Sequence, residues 1–300
     1  MGRLATICIP IYNREVITLV EALVYEIKRA DLPVNIQLID DASTNHCGES
    51  NALLSSHYVQ YTRLTRNVGR AKIRNLFLTL TDTPLLIFID CDSEIHSKDY
   101  IQTYLHHFRD PQNQVIYGGR IYPDTCKRSE RLEWLYGNKR IAANAEKRSR
   151  EGNRAFLTNN FALRREILET HPFDESIPCY GYEDVRFQFT LSQAGIQVLH
   201  IDNVVCDSGF DSNRTVLMKM EMATRSLKYI FDKDPRNPLR KEMKLMRYYD
   251  KLNRVCPLFI TQSISIILIP FIRTFAHSFP SLFWLDTYKL ILLYRYKVSC

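Results

Sequence analysis

Two acidic clusters in this chain have the spacing of reactive groups. Asp90-Cys91-Asp92 follows the apolar run Leu85-Leu86-Ile87-Phe88-Ile89 without a break, so two carboxylates two positions apart stand where a buried strand emerges. Hard divalent cations such as Mg²⁺ and Mn²⁺ take oxygen ligands and bridge diphosphates, which such a pair can support. About ninety residues later, Gly181-Tyr182-Glu183-Asp184 stands just before the amphipathic stretch Val185 to Ala194. Carboxylates in the first turn of a helix commonly cap its free N–H groups and complement its dipole. Beside a metal-bound diphosphate, the same carboxylate can serve as general base toward an acceptor hydroxyl.

The elements that must position these groups are legible upstream. Strand-like Ala5 to Ile9, Asn35 to Asp40 and Leu85 to Asp90 alternate with helix-like Glu15 to Ala30 and Ala71 to Leu80. That rhythm predicts a parallel α/β sheet with right-handed crossovers. Three strands end in polar residues, at Tyr12-Asn13, Asp40-Asp41 and Asp90-Cys91-Asp92, and open α/β sheets bind ligands beyond the carboxyl ends of their strands. A further strand is expected over Phe156 to Leu163, a helix opened by Gly181 to Asp184, and a short strand over Val198 to Ile201. The catalytic domain is expected to close near Gly209, giving a division into 1–212 and a helical 213–300.

The ordered motifs resemble the family 2 glycosyltransferases with a GT-A fold, of the bacterial surface-polysaccharide type. Ile7-Cys8-Ile9-Pro10-Ile11-Tyr12-Asn13 looks like that family's first-strand motif and Ile39-Asp40-Asp41-Ala42-Ser43 its second. Arg66 to Asn75 is similar to its N-x-G-x-x-x-x-R-N segment, and Ile89-Asp90-Cys91-Asp92 to its D-x-D. Asn159-Asn160-Phe161, Phe173-Asp174-Glu175 and Gly181-Tyr182-Glu183-Asp184 resemble its acceptor-side half. The resemblance implies a Rossmann-like, mostly parallel sheet flanked by helices with a C-terminal helical appendage. It also implies inverting transfer from a nucleoside-diphosphate sugar, a UDP-sugar by expectation, to a hydroxyl on a glycan or lipid-linked acceptor, with a Mn²⁺ or Mg²⁺ cofactor.

By the same resemblance Pro10 and Tyr12 flank the base, Asp40 accepts from the pyrimidine ring with Asp41 as a second contact, and Arg74 holds the nucleotide. Arg74 is otherwise surface charge on a helix face. Asp90 lies toward the ribose and sugar together with Asn160, Asp92 ligates the metal, Asp184 is the catalytic base and Glu183 shapes the acceptor pocket. Many relatives place a His shortly after the final strand to complete the metal site; here Asp207 falls at that position and still offers oxygen to a hard cation. Its plain alternative is a turn residue before Ser208-Gly209. His200, within the apolar Val198 to Ile201 run, is the rival ligand or else a packed histidine.

Composition narrows the partners. The chain has 300 residues, 45% of them hydrophobic, enough for a full core. Its net charge of +7 favours anionic partners such as nucleotide-sugars, phospholipids and lipid phosphates; nucleic acid is not expected. Eight scattered cysteines without a C-x-x-C pair read as reduced thiols in the cytoplasm. The basic stretch Arg120 to Arg154 reads as solvated helices or as a flap over a phosphate-bearing ligand. Trp134 and Tyr136 read as core aromatics or as a stacking platform for an acceptor sugar. The run Leu258 to Ile272 is short for a membrane span. With Arg273, Phe283, Trp284, Tyr288, Tyr294 and Tyr296 it suggests a peripheral anchor over 258–296 at the inner face of the cytoplasmic membrane. A sugar nucleotidyltransferase and a non-catalytic nucleotide-sugar or membrane-binding subunit are the alternatives.

Overall fold

A computed structural model of the chain describes residues 2–177, 180–207, 209–256 and 258–295. Cys179, Ser208, Tyr296 and Cys300 lie outside the described residues. The chain divides into two compact units: 1–123, 141–175 and 183–209 form the first, and 124–140, 176–182 and 210–300 the second.

The first unit runs β1 (Ala5–Ile11), α1 (Ile17–Arg29), β2 (Val34–Asp40), α2 (Cys47–Ala52), β3 (Val59–Arg63), α3 (Arg70–Leu80), β4 (Leu85–Ile89), β5 (Ser93–Ile95), α4 (Tyr100–His107), β6 (Val115–Tyr117) and β7 (Arg120–Ile121). With α5 (Arg131–Tyr136) assigned to the second unit, it resumes at α6 (Ala145–Glu151), β8 (Asn160–Arg164), α7 (Arg165–Thr170), α8 (Glu183–Gln193), β9 (Val198–His200) and β10 (Val205–Asp207). Seven strands form one sheet in the order β3-β2-β1-β4-β8-β6-β9. Its pairs are parallel except where β8 lies antiparallel to β4 and β6. This is the expected mostly parallel architecture, with one reversed strand that the apolar run 156–163 did not reveal.

Both faces of the sheet are covered, which is why its strands read as nearly continuous apolar runs. Ala5, Ile7, Ile9 and Ile11 of β1 join Leu19, Leu23 and Ile27 of α1 and Tyr100 and Tyr104 of α4 in one core. Cys8, Leu86 and Phe88 point the other way, to a core closed by Phe77 of α3, Leu168 of α7 and Phe187 of α8. Phe88 stacks on Phe161 at 4.8 Å and Phe173 on Phe187 at 4.1 Å, tying α8 to the sheet beneath it. A second, three-stranded sheet, β5-β10-β7, sets Asp207 opposite Ser93 in antiparallel register, which brings the last strand to the residue after Asp92.

The second unit is helical: α5, then α9 (Asn213–Lys233), α10 (Leu239–Glu242), α11 (Lys244–Val255), α12 (Leu258–Ser278) and α13 (Leu282–Arg295). Leu132, Val216, Leu217, Ile269, Ile272, Ala276, Leu285, Tyr288 and Leu292 make its core. Two expectations are corrected here. Helix α12 continues to Ser278 despite Pro270, and its Ile260–Ser278 stretch is long and apolar enough to cross a membrane by length and composition. Tyr288 and Tyr294, taken as interfacial aromatics, are buried at 0% and 5% exposure. Tyr136 packs against the same core with the Lys289 ammonium 4.5 Å above its ring.

Candidate active site

β1 and β2 end side by side, Ile11 in register with Asp40, and the loops that follow are bonded together. Asn13, held at φ 52°, donates its N–H to Ser43 Oγ at 2.8 Å and accepts from the Thr44 N–H at 2.8 Å through its side chain. Pro10 is half-buried and Tyr12 is 49% exposed, open to a ligand. Asp40 has no exposed surface: Oδ1 accepts the Ser43 N–H at 2.7 Å and Oδ2 the Tyr61 hydroxyl at 2.8 Å. Asp41 accepts the Val68 and Gly69 N–H groups at 2.6 and 3.0 Å, capping the approach to α3. The structure therefore sets both carboxylates into the loops that wall the crevice, where sequence reading had put Asp40 against the pyrimidine.

Beneath the crevice runs a chain of alternating charges. Arg74, 1% exposed, donates to Asp90 Oδ1 at 2.9 Å and to the Thr158 carbonyl at 3.2 Å, and its Nε has no partner among the described residues. Burial lowers its pKa, with the Asp90 carboxylate opposing the shift. Arg74 is buried rather than surface charge, and it holds Asp90 from below. Arg70, one helical turn earlier, reaches Asp90 Oδ2 at 3.4 Å and Glu183 Oε1 at 3.0 Å. Sequence reading passed over Arg70, yet it joins the D-x-D end of β4 to the start of α8. The i, i+4 spacing of Arg70 and Arg74 on α3 was the available signal.

Glu183, 5% exposed, is thus engaged by Arg70, while among the described residues Asp184 Oδ1 accepts only its neighbouring Val185 N–H, at 2.7 Å. Burial pushes the Asp184 carboxyl up to about 6, the Glu183 charge adds to the rise, and Arg70 and Arg74 oppose it. A carboxylate ionised at neutral pH and close to its pKa is matched to taking a proton.

Asp92 Oδ1 is buried and has no hydrogen-bond partner among the described residues. The chain at Gly209 passes so close that a Cβ there would overlap Arg14 Nη2 and sit 3.4 Å from Asp92 Cβ. Asp207 pairs with Arg120 at 3.1 Å; burial pushes its pKa up to about 6, Arg120 opposes, and the charges of Asp92 and Asp90 add to the rise. Among the described residues no three His, Cys, Asp or Glu side chains converge as a closed metal site. An unmet carboxylate oxygen among repelling carboxylates nonetheless fits a hard cation that takes one or two protein ligands and completes its shell from phosphate and water. His200 is a packed histidine, its Nε2 3.0 Å from the Gly152 carbonyl and its ring 5.7 Å from that of Tyr117.

Asn160 lies below the crevice, fully buried. Its Oδ1 accepts from Tyr100 and Tyr104 at 2.8 and 2.7 Å, and its Nδ2 donates to the Gly119 and Asn203 carbonyls at 2.8 Å each. With four bonds made, the amide staples loops together, in place of the sugar contact expected of it. Arg148, from the basic stretch, is likewise buried at 2% and donates to the Gly118 and Ile201 carbonyls.

The sequence pattern described as glycosyl transferase family 2 matches residues 6–171, more than half of the chain and the segment that carries the β1, β2 and β4 loop carboxylates. The chain belongs to that family. A mannosyltransferase from Pyrobaculum calidifontis, PcManGT, solved with GDP-Man and Mn²⁺, is similar at a TM-score of 0.57 and 17% identity, over 98% of this chain and 86% of that one. Glucosyl-3-phosphoglycerate synthase from Mycobacterium tuberculosis, solved with Mn²⁺, UDP-glucose and phosphoglyceric acid, is similar at 0.51 and 17%, over 75% and 79%. The same synthase solved with Mg²⁺ and UDP gives 0.51 and 16%, over 77% and 79%. No match was found among curated proteins. At these identities the structural likeness carries the fold, and this family 2 glycosyltransferase has the sheet and flanking helices of those enzymes.

Proposed function

We propose that the chain transfers a sugar from a nucleoside diphosphate, UDP by preference, to a hydroxyl of a glycan or lipid-linked acceptor, with inversion at the anomeric carbon. The observation that carries this reading is the pairing of two differently prepared carboxylates: Asp92, with a buried oxygen unmet, and Asp184, raised to about 6 beside an ion-paired Glu183. Asp92, with Asp207, would hold a divalent cation, Mn²⁺ or Mg²⁺ as in the similar enzymes solved with them. When bound, that cation neutralises charge on the departing diphosphate.

The remaining work belongs to the side chains. Asp184 takes the acceptor proton as the acceptor oxygen bonds to the anomeric carbon and the bond from that carbon to the diphosphate oxygen breaks. Arg70 engages Glu183 in an ion pair, leaving Asp184 as the base, and Glu183 in turn borders the acceptor side. Arg74 fixes Asp90 toward the ribose and sugar. Tyr12 and Pro10 lie against the base, over loops that Asp40, Asp41 and Asn160 hold in shape. These groups fall within residues 1–212, and 213–300 forms the appendage. The exposed side of α12 within 258–296 rests at the cytoplasmic face of a membrane, as a helix with one face in a protein core can lie in an interface without crossing it.

Thermal unfolding with a panel of nucleotide-sugars, with and without Mn²⁺, tests donor and metal together, because a ligand of the native state raises stability by mass action. A shift with a UDP-sugar that vanishes in EDTA is expected. A full shift and full nucleotide release in excess EDTA would overturn the metal requirement.

A further inference from the structure

The second unit contains a depression of its own. Lys127, Arg128 and Arg131 line one side and Phe279, Ser281 and Trp284 the other, around a cavity of about 680 Å³. Lys127 lies 3.5 Å from Glu130, while the exposed guanidinium groups of Arg128 and Arg131 have no carboxylate partner among the described residues. A planar guanidinium fork matches phosphate oxygens, and a pair of forks beside an indole suits a phosphate at a polar–apolar boundary.

The depression continues into an apolar strip. Ile260, Ile264, Ile267, Phe271 and Phe275 recur at spacings of three and four along α12, on one helix face, and are 37, 46, 63, 60 and 44% exposed. Phe279 and Phe283 extend the strip at 63 and 69%. Ile269, Ile272 and Ala276 occupy the opposite face, closed into the core with α9 and α13. Charge agrees with this layout: the second unit has 21 Lys and Arg against 10 Asp and Glu, a formal +11, whereas the first has 19 against 23, a formal −4.

We infer that the Lys127-Arg128-Arg131 depression binds the phosphate of an anionic phospholipid head group while the α12 strip rests among the acyl chains. The inference rests on the interfacial reading of 258–296. The strip supplies affinity for any bilayer, and the depression supplies preference for an anionic one. A basic residue at an anionic surface is worth roughly fivefold in partition, so the two free arginines together give about 25-fold.

Co-sedimentation of the full chain with phosphatidylcholine vesicles, with and without phosphatidylglycerol, separates the two parts. The wild type is expected to bind both and to favour the anionic vesicles. Arg128→Gln with Arg131→Gln should lose most of that preference and keep the phosphatidylcholine binding, Arg128→Lys with Arg131→Lys should keep much of it, and Phe271→Ser with Phe275→Ser should weaken both. Melting curves of each variant report that it folds. An undiminished preference in the glutamine variant overturns the head-group site and leaves the interfacial reading standing; a wild type that ignores both vesicles overturns both. Release from anionic vesicles by inorganic phosphate, at an ionic strength where chloride has no effect, assigns the depression to free phosphate and overturns the lipid assignment.

Discussion

The two units are built on opposite plans. In the first, charge is turned inward: Arg74, Asp40, Asp41, Glu183, Asp207 and Arg148 are all 5% exposed or less, each bonded to a named partner, and the unit is net acidic. In the second, charge and apolar surface both face out, and fourteen of the twenty large hydrophobic side chains exposed among the described residues belong to it. Even a well-bonded buried ion pair adds little net stability, because removing its charges from water offsets much of their attraction. An exposed apolar strip is unfavourable in water unless something covers it. On the function proposed above, this contrast divides the work into chemistry for the first unit and placement at a membrane for the second.

The sharpest way to break that contrast is to touch the base. Asp184→Asn is expected to bind donor normally and to lose about 10²- to 10⁴-fold in turnover, the usual share of a general base. If Asp184→Asn turns over near the wild-type rate while Glu183→Gln is inactive, the base is Glu183. The pH profile adds a sign. Asp184 must be ionised to accept a proton, and burial together with the Glu183 charge holds it up to about 6 against the opposing pull of Arg70 and Arg74, so turnover should fall as pH drops through about 6. Stability should move the other way for this group, because a carboxyl with a raised folded-state pKa binds its proton more readily folded than unfolded. Its contribution therefore improves as pH falls from 7 toward 5. Turnover that holds as pH drops through about 6, or a stability difference between wild type and Asp184→Asn that does not narrow as pH falls from 7 toward 5, would refute the assignment.

A next effect, of comparable or smaller size, concerns the support beneath the site. Arg74→Ala leaves Asp90 and the Thr158 carbonyl without their buried donor and should cost roughly 3 to 5 kcal/mol in unfolding free energy, as breaking a buried pair does. A loss below about 1 kcal/mol in denaturant unfolding would mean that water replaces the guanidinium. Asp207→Ala is milder. It should weaken Mn²⁺ binding measured with UDP present by about tenfold, the low end for loss of a group supporting a metal. Asp207→His should recover affinity and move preference toward metals that favour imidazole nitrogen. Unchanged affinity in Asp207→Ala removes that residue from the site.

Which parts of this were readable beforehand follows from how local each signal is. β1, β2 and β4 are apolar runs buried on both faces, so periodicity and length placed them, and the acidic residues at their ends came with them. Three-residue strands such as β5 and β10 have no such pattern, and the pairing of Asp207 with Ser93 exists only once both strands meet. Asn160 and Arg74 show the limit most clearly. Motif resemblance singles them out, but whether a polar side chain faces a ligand or braces a loop depends on neighbours some sixteen to sixty residues away, as with Arg74 to Asp90 and Asn160 to Tyr100. On α12 the reverse holds, since composition alone showed the apolar run and only packing showed which face is left bare.

The smallest expected effect compares one kind of bond in the two units. Arg140 and Asp286 in the second unit make a two-pronged ion pair at 2.9 and 2.5 Å, closer than Arg74 to Asp90, yet their side chains are 41 and 45% exposed against 1 and 13%. Geometry alone would rank the Arg140 pair as the stronger. Solvent reverses the order, because an exposed pair gives back most of its attraction to water and to side-chain entropy and is screened by salt. Arg140→Ala should therefore cost only about 0 to 1 kcal/mol in unfolding free energy. Part of that is lost contact with the Tyr136 ring, 5.9 Å from the guanidinium. The cost should shrink as salt is raised, whereas that of Arg74→Ala should barely change. Denaturant unfolding of the two variants at low and high salt measures both slopes. A loss above about 3 kcal/mol for Arg140→Ala would show that the second unit, like the first, is held by charge. The division into an inward-charged unit and an outward-facing one would then fail at its simplest point.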